Sequence, residues 1–209
     1  MHPRTEELLN HLEENRAALH AAVDAVPSSL RETRPATDRW SVAEVLEHLG
    51  RVEEQLTRLL AAKLAEARLT GALGPERESG PIAHSFGDLL LDRRRRIAAG
   101  DRVLPRAEMD ATAALATLDK TRATLRDLVV SHDGLNLGAV SHPHPAFGVL
   151  DGYQWFAFIG SHEARHAAQI REIGEALVAI SGDKGLGTEL RGLGLGTGDW
   201  GLGTRPGSH

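Results

Sequence analysis

The stretch Trp40-Ser-Val-Ala-Glu-Val-Leu-Glu-His-Leu49 contains the clearest helix start in the sequence. Ser41 and Glu44 have the spacing of a capping box, in which each side chain accepts a hydrogen bond from the backbone N–H of the other residue. Apolar residues then recur at helical spacing, so we expect a helix from Ser41 to about Ala67. His48 lies on the same predicted face of this helix as its leucines.

Apolar residues at helical spacing predict three more helices. The first spans about residues 4–25 and the third about residues 109–132. The fourth begins near Asp151, because Asp151 and Gln154 again have the spacing of a capping box. The sequence therefore predicts an all-α fold, a four-helix bundle, in one domain of residues 1–180.

The remaining segments are predicted to be loops and a tail. Three glycines and two prolines mark residues 71–84 as a loop, and proline and glycine mark the link 133–150 as turns rather than a strand. The four arginines at 93–96 favour a solvated helix face over an anion site. Residues 181–209 contain ten glycines in 29 positions, and such a chain loses too much backbone entropy on ordering. We therefore predict a disordered Gly-rich tail.

Composition excludes several classes of function. The 209 residues include no cysteine, so a disulfide framework, thiolate metal ligands and a cysteine nucleophile are all absent. The formal net charge of -5 is not typical of a nucleic-acid-binding protein. The first residues lack the pattern of a signal peptide, and no apolar stretch is long enough to span a bilayer. We expect a cytoplasmic protein without a membrane or nucleic-acid partner.

Three histidines, His48, His162 and His166, fall on predicted inward faces of helices. His162 and His166 are one helical turn apart, so their rings project in parallel and can bind one ion. His48 from the second helix would complete a set of three ligands that leaves coordination positions open, as in catalytic sites. A lone buried histidine is more often a hydrogen-bonded core residue, but three of them, two at ligand spacing, favour a metal site.

The segment His162-Glu-Ala-Arg-His166 also matches the H-E-x-x-H helix of zinc proteases, in which the glutamate is the general base. The extended protease motif requires glycine and histidine where this chain has Gln169 and Glu172. The predicted helix continues through both positions, and no sheet precedes it. The protease hypothesis is therefore disfavoured. Glu163 is left open between a side chain that supports the ligands and a surface residue.

Four segments together resemble the DinB-like (YfiT-like) superfamily of four-helix metalloproteins. They are Trp40–Leu49, His142-Pro143 with Phe147-Gly148, Gln154-Trp155, and His162–Ile170. The resemblance covers roughly residues 5–180 and implies an up-down-down-up topology. It also implies one divalent metal ion per chain, such as nickel, zinc or iron, and a homodimer. The family's ligand positions fall on His48, His162 and His166, whereas many members have histidine in place of Arg165.

Seven further side chains are candidates for supporting the ligands or lining a substrate pocket. They are Glu163, Gln169, His142, His144, Phe147, Trp155 and Phe158. Exposed turn positions for His142 and His144, and core packing for the aromatic residues, are the simpler interpretations. Both interpretations stay open from the sequence.

The resemblance implies several activities. Family members include S-transferases that join low-molecular-weight thiols such as bacillithiol or mycothiol to electrophiles, thiol-dependent isomerases, and metal-dependent hydrolases. We expect a metal-dependent thiol S-transferase acting on electrophilic small molecules. Its nucleophile would be a thiolate or water bound to the ion, and no protein side chain is assigned as nucleophile. A hydrolase of the same fold and a non-catalytic metal-binding bundle are the alternatives.

Overall fold

A computed structural model describes residues 1–82, 90, 92 and 100–192 of the chain. For residues 182–192 it describes the backbone alone. The arginine run predicted to be a solvated helix face, residues 93–96, lies outside the described residues.

Four long α-helices run through the described part of the chain. They are α1 (Pro3–Asp24), α2 (Val42–Leu69), α3 (Ala111–Val130) and α4 (Gly152–Gly192). The sequence predicted all four, and their bounds agree closely with the expected ones except at the end of α4.

Both predicted capping boxes are present. The backbone N–H of Glu44 donates to Ser41 Oγ at 3.2 Å, and the N–H of Ser41 donates to Glu44 Oε2 at 2.9 Å. At the start of α4 the N–H of Gln154 donates to Asp151 Oδ1 and the N–H of Asp151 donates to Gln154 Oε1, both at 2.9 Å. These bonds satisfy backbone donors that the first turn of each helix would otherwise leave unpaired.

Two apolar clusters at opposite ends of the bundle define the helix directions. The first cluster contains the starts of α1 and α4 with the ends of α2 and α3. The second contains the ends of α1 and the starts of α2 and α3, together with a later part of α4. Helices α1 and α4 therefore run in one direction, and α2 and α3 in the other. This is the expected up-down-down-up four-helix bundle, in which α1 packs chiefly against α4 and α2 against α3.

A glycine sets the close approach of α1 to α4. A Cβ atom at Gly160 would lie 2.6 Å from the ring carbon Cδ2 of His11, closer than real side chains approach. The same histidine lies with Nε2 3.0 Å from the backbone oxygen of Ala157. This contact fixes the packing of α4, the helix that carries two of the three candidate metal ligands, against its parallel neighbour.

The prediction that residues 133–150 contain turns rather than a strand is wrong. Strands β1 (Ser141–His144) and β2 (Gly148–Asp151) form an antiparallel hairpin that leads directly into α4. Prolines argue against a central strand, but both strands of a two-stranded sheet are edge strands. Pro143 pairs with Val149, and its missing N–H can face away from the partner strand. Gly148 has a φ of 75°, which provides the reversal after the loop.

Helix α4 continues beyond the point at which the Gly-rich tail was predicted to begin. Its backbone is helical to Gly192, whereas the tail was predicted from residue 181. Leu177 is the last buried side chain among those described. The extra turns follow from helix propagation, because each residue added to an existing helix gains one hydrogen bond. The rest of the predicted tail, residues 193–209, lies outside the described residues.

Candidate metal centre

The three histidines predicted as ligands meet between α2 and α4. One ring nitrogen of each of His48, His162 and His166 lies within 4.8 Å of those of the other two. The His162 and His166 Nε2 atoms are 3.1 Å apart. The ring of His48 lies 5.3 Å from that of His162 and 4.9 Å from that of His166, centre to centre. The side chains of His48 and His166 are buried, with 4% and 7% of their surface exposed.

Two of the rings are oriented by contacts at their far nitrogens. His48 Nδ1 lies 2.8 Å from the backbone oxygen of Val103, and His166 Nδ1 lies 2.8 Å from Gln169 Oε1. Both partners are acceptors, so each Nδ1 carries the proton and donates it. The lone pair of each neutral ring is then on Nε2, the nitrogen that faces the centre. Such contacts are the usual way in which proteins fix the tautomer and direction of a metal-binding histidine.

Burial favours the neutral form of His48 and of His162. It lowers the pKa of His48 and outweighs the opposing effect of the hydrogen bond to Val103. It also holds the pKa of His162 well below its usual value, and the nearby His166, His48 and Arg165 lower that pKa further. Neutral imidazole is the form that binds a metal ion, so protons do not compete for the site at neutral pH.

The spacing of His162 and His166 fits a shared divalent ion. Two imidazole nitrogens that share one ion at about 2.1 Å are about 3.0–3.4 Å apart for angles between a right angle and the tetrahedral value. The 3.1 Å between His162 and His166 falls in this range. A shared proton would also explain that distance, but it would join two rings only, whereas an ion can bind all three. Three imidazoles suit zinc, nickel or iron.

Four rings form an aromatic wall beside the histidines: His144, Phe147, Trp155 and Phe158. The ring of His144 lies 4.7 Å from Phe147, 5.2 Å from Trp155 and 4.8 Å from Phe158. Phe158 in turn stacks on His162 with centres 5.5 Å apart and planes 17° from parallel. Trp155 and Phe158 are buried, whereas His144 and Phe147 are half-buried. The hairpin thus brings the wall against one of the candidate ligands.

His142 supports the aromatic wall through its backbone carbonyl. Its carbonyl oxygen accepts a hydrogen bond from Trp155 Nε1 at 3.0 Å, and its ring lies 6.1 Å from the indole. This bond ties β1 to the start of α4. Of the two hairpin histidines, therefore, His144 places its ring within the aromatic wall and His142 holds the wall in place.

A second buried cluster, absent from the sequence-based predictions, lies between the two apolar clusters. It contains one charged residue from each helix, and we call it the charge layer: Arg16, Glu53, Arg122 and Glu163. Arg16 Nη2 lies 3.1 Å from Glu53 Oε2 and 2.6 Å from Glu163 Oε1. Arg122 Nη2 lies 3.0 Å from Glu53 Oε2 and 2.8 Å from Glu163 Oε2, although the last contact is not aligned as a hydrogen bond. The two positive and two negative charges balance.

The position of Glu163 corrects both interpretations that the sequence left open. The residue is 1% exposed, so it is not a surface residue, and its carboxylate binds Arg16 and Arg122 rather than a candidate ligand. One residue after His162 corresponds to a rotation of about 100° around the helix, which points Glu163 toward the bundle axis. A glutamate held in this way cannot serve as the general base of a zinc protease.

Arg165, on the turn of α4 that precedes His166, contacts a segment from outside the helix. Its Nη1 donates to the backbone oxygens of Leu90 and Asp92, at 2.7 and 3.0 Å. The arginine therefore attaches part of the long connection between α2 and α3 to the helix that carries His162 and His166.

Part of the charge layer could have been found in the sequence. Arg16 and Arg122 each stand at helical spacing within a run of buried leucines, between Leu12 and Leu19 in α1 and between Leu118 and Leu125 in α3. A charged residue on an apolar stripe is a signal for a buried partner of opposite charge.

No helix in the described part of the chain combines the length and apolar character needed to cross a membrane.

Comparison with known proteins identifies relatives in both sequence and fold. Residues 11–170 match the model of the DinB superfamily. The uncharacterised protein YuaE of Bacillus subtilis is 30% identical over 145 residues, which are 69% of this chain and 83% of YuaE. The crystal structure of TT2238, a four-helix bundle protein, matches with a TM-score of 0.50 and 23% identity, over 80% of this chain and 98% of TT2238. The last comparison supports the fold alone.

Proposed function

Because this chain belongs to the DinB superfamily, we propose that it is a divalent-metal-dependent enzyme that joins a low-molecular-weight thiol to an electrophilic small molecule. The observation that carries the proposal is the convergence of three imidazole nitrogens within 4.8 Å of one another. No carboxylate completes that set among the described residues, so the set leaves room for exogenous ligands.

His48, His162 and His166 would hold one ion of nickel, zinc or iron. A divalent ion supplies Lewis acidity, which lowers the pKa of a thiol that coordinates it. The chain itself supplies no thiol, because it contains no cysteine. The sulfur must therefore come from a cosubstrate. In the reaction a sulfur–carbon bond forms, the leaving group departs with its bonding electrons, and the thiol proton passes to solvent.

The aromatic wall supports an electrophile with an apolar part. Phe147 and His144 are half-buried, and they lie over the buried ring of Phe158, which stacks on His162. An apolar surface beside the ligands would bind such a substrate and exclude water, which competes with the thiol. His144 Nδ1 accepts the N–H of Ala146 at 3.0 Å, so a neutral ring carries its proton on Nε2 and can donate it to the substrate.

The test begins with protein purified without an affinity tag. We expect about one divalent ion per chain and consumption of a thiol in the presence of a model electrophile such as chlorodinitrobenzene. His166→Ala should lose both properties and remain folded. His132→Ala replaces a histidine two residues after α3, whose ring contacts the backbone oxygen of Leu128, and is the matched control that should retain both. Thiol consumption that is unchanged in His166→Ala would contradict the proposal.

The same assay separates the alternatives. Hydrolysis of a model ester without any thiol, lost in His166→Ala, would indicate a hydrolase of the same fold. A folded protein that binds metal but turns over neither class of substrate would indicate a non-catalytic bundle. The proposal also includes a homodimer, for which light scattering should give twice the mass of the chain.

A further inference from the structure

Glu47, the residue before the candidate ligand His48, has a buried carboxylate that no catalytic role explains. The residue is 1% exposed. Its carboxylate accepts the backbone N–H of Arg106 at 3.1 Å to each oxygen and the N–H of Ala107 at 2.9 Å. Arg51, one turn later on α2, balances the charge through Nε at 3.1 Å and Nη2 at 2.7 Å. Glu47 therefore attaches a backbone segment from outside the helix to α2.

The attached segment also carries the partner of His48. The Val103 carbonyl, which accepts from His48 Nδ1 at 2.8 Å, lies only three residues before Arg106. Leu104 and Pro105 stand between them, and the proline ring restricts the backbone there. Glu47 and His48 thus bind the two ends of a single segment, residues 103–107. A shift at one end changes the position of the carbonyl at the other.

The segment needs this support to keep its conformation. Ala107 has a φ of 56°, a left-handed backbone conformation that a residue with a Cβ adopts at a cost. Such conformations persist where surrounding contacts enforce them. The hydrogen bond from the Ala107 N–H to Glu47 Oε2 is a contact of this kind. Without it, Ala107 would relax toward a right-handed or extended conformation.

We propose that Glu47 is a positioning residue for the metal centre: by holding residues 103–107 it fixes the Val103 carbonyl, which directs His48 Nε2 toward His162 and His166. The inference rests on the proposed function, since it takes His48 to be a metal ligand. A purely structural role for Glu47 would affect folding stability and leave the metal affinity of the folded protein unchanged.

The experiment measures metal binding rather than activity. Co²⁺ and Zn²⁺ are titrated against a competing chelator, and the visible absorption of the Co²⁺ protein reports the geometry of its ligands. Glu47→Gln replaces one acceptor oxygen by an amide group that faces backbone donors. We expect this variant to bind both metals about 10–100-fold more weakly, with an altered Co²⁺ spectrum. Glu47→Asp has a shorter side chain that cannot reach both backbone donors, so it should lose an intermediate amount of metal affinity. This variant replaces Glu47→Gln in the experiment if Glu47→Gln does not fold.

Glu44→Gln is the matched control, because Glu44 is also a buried glutamate on α2 with backbone and arginine partners. It should bind metal within about twofold of the unmodified protein, since its partners lie outside the 103–107 segment. Adding Ala107→Gly to Glu47→Gln should recover part of the affinity, because glycine adopts the left-handed conformation without a Cβ penalty.

Three results would overturn the inference: folded Glu47→Gln protein that binds metal within twofold of the unmodified chain, an equal loss in Glu44→Gln, or no recovery on adding Ala107→Gly. Failure of the unmodified protein to bind either metal would instead refute the metal centre itself, and so the proposed function. The two failures are therefore distinguishable.

Discussion

The charge layer and the three histidines are adjacent, because Glu163 of the first and His162 of the second are consecutive residues of α4. The polar atoms of the two clusters nevertheless have different kinds of partner. In the charge layer every carboxylate oxygen of Glu53 and Glu163 has a guanidinium nitrogen within 3.2 Å. In the histidine cluster the outer nitrogens of His48 and His166 have acceptor partners, whereas the inner nitrogens face one another. In the charge layer each carboxylate is paired with arginine, whereas in the histidine cluster three ring nitrogens converge on one region.

The two clusters have similar burial but differ in how their polar groups are paired. Balanced charges in a low-dielectric interior define how four helices meet, and they bind nothing further. The converging nitrogens of His162 and His166 can share one proton, whereas a cation could bind all three rings. Burial of ionisable groups therefore does not by itself indicate an active site.

The largest expected effect concerns the charge layer. Arg122→Ala would leave Glu53 and Glu163 with one arginine between them, an uncompensated buried charge. We expect a loss of about 3–5 kcal/mol in the free energy of unfolding, measured by chemical denaturation without metal. Arg126→Ala, one turn further along α3, removes an exposed pair with Glu13 and should cost no more than about 0.5 kcal/mol. Equal losses in the two variants would show that the charge layer does not stabilise the bundle.

The histidines should contribute to stability only when metal is present. Free metal at 100 times its dissociation constant should raise the free energy of unfolding by about 2.7 kcal/mol. His162→Ala should lose this increment and change metal-free stability far less than Arg122→Ala does. Denaturation with and without a chelator measures both quantities. An increment of equal size in His162→Ala would place the metal elsewhere.

A smaller effect is expected from pH in the metal-free protein. Burial lowers the pKa of His48, and burial with the neighbouring His166 and His48 lowers that of His162, whereas the unfolded chain titrates near 6.5. As the pH falls below 6.5, these histidines bind protons in the unfolded chain but not in the folded protein, so the free energy of unfolding decreases. The slope is at most about 1.4 kcal/mol per pH unit for each histidine. The double variant His48→Gln, His162→Gln should flatten the stability curve below about pH 6.5. An unchanged slope would show that these two histidines do not cause the pH dependence.

The sequence predicted the bundle and the identity of the three converging histidines for the same reason. Both depend on spacing within single helices: capping residues locate helix starts, and positions four apart share a face. The prediction of which face of α2 is buried was less accurate. Val52 and Leu56 belong to the apolar residues at helical spacing that should face inward, but they are half-buried, while Glu53 and Thr57 are buried. Hydrophobicity assigns a glutamate to the surface unless its partners are known, and the arginine partners of Glu53 lie on two other helices, α1 and α3.

The supporting contacts of the site required the folded structure. Nothing in the spacing of residues 103–107 shows that their backbone returns to Glu47 and His48, because that return depends on the path of the connection from α2 to α3. The hairpin before α4 was missed because its prolines and glycine are typical of turns. Local signals thus identified the candidate ligands, and tertiary contacts determine what holds them.

The pairing of α1 with α4 has a consequence for how the chain folds. The two helices that pack chiefly against each other are the first and last to be synthesised, with α2 and α3 between them. Contacts between such distant parts of a chain slow folding, because a long loop must close before they form. During translation α1 therefore leaves the ribosome before α4, and the leucines that α1 packs against α4 stay uncovered by that helix until it has been made.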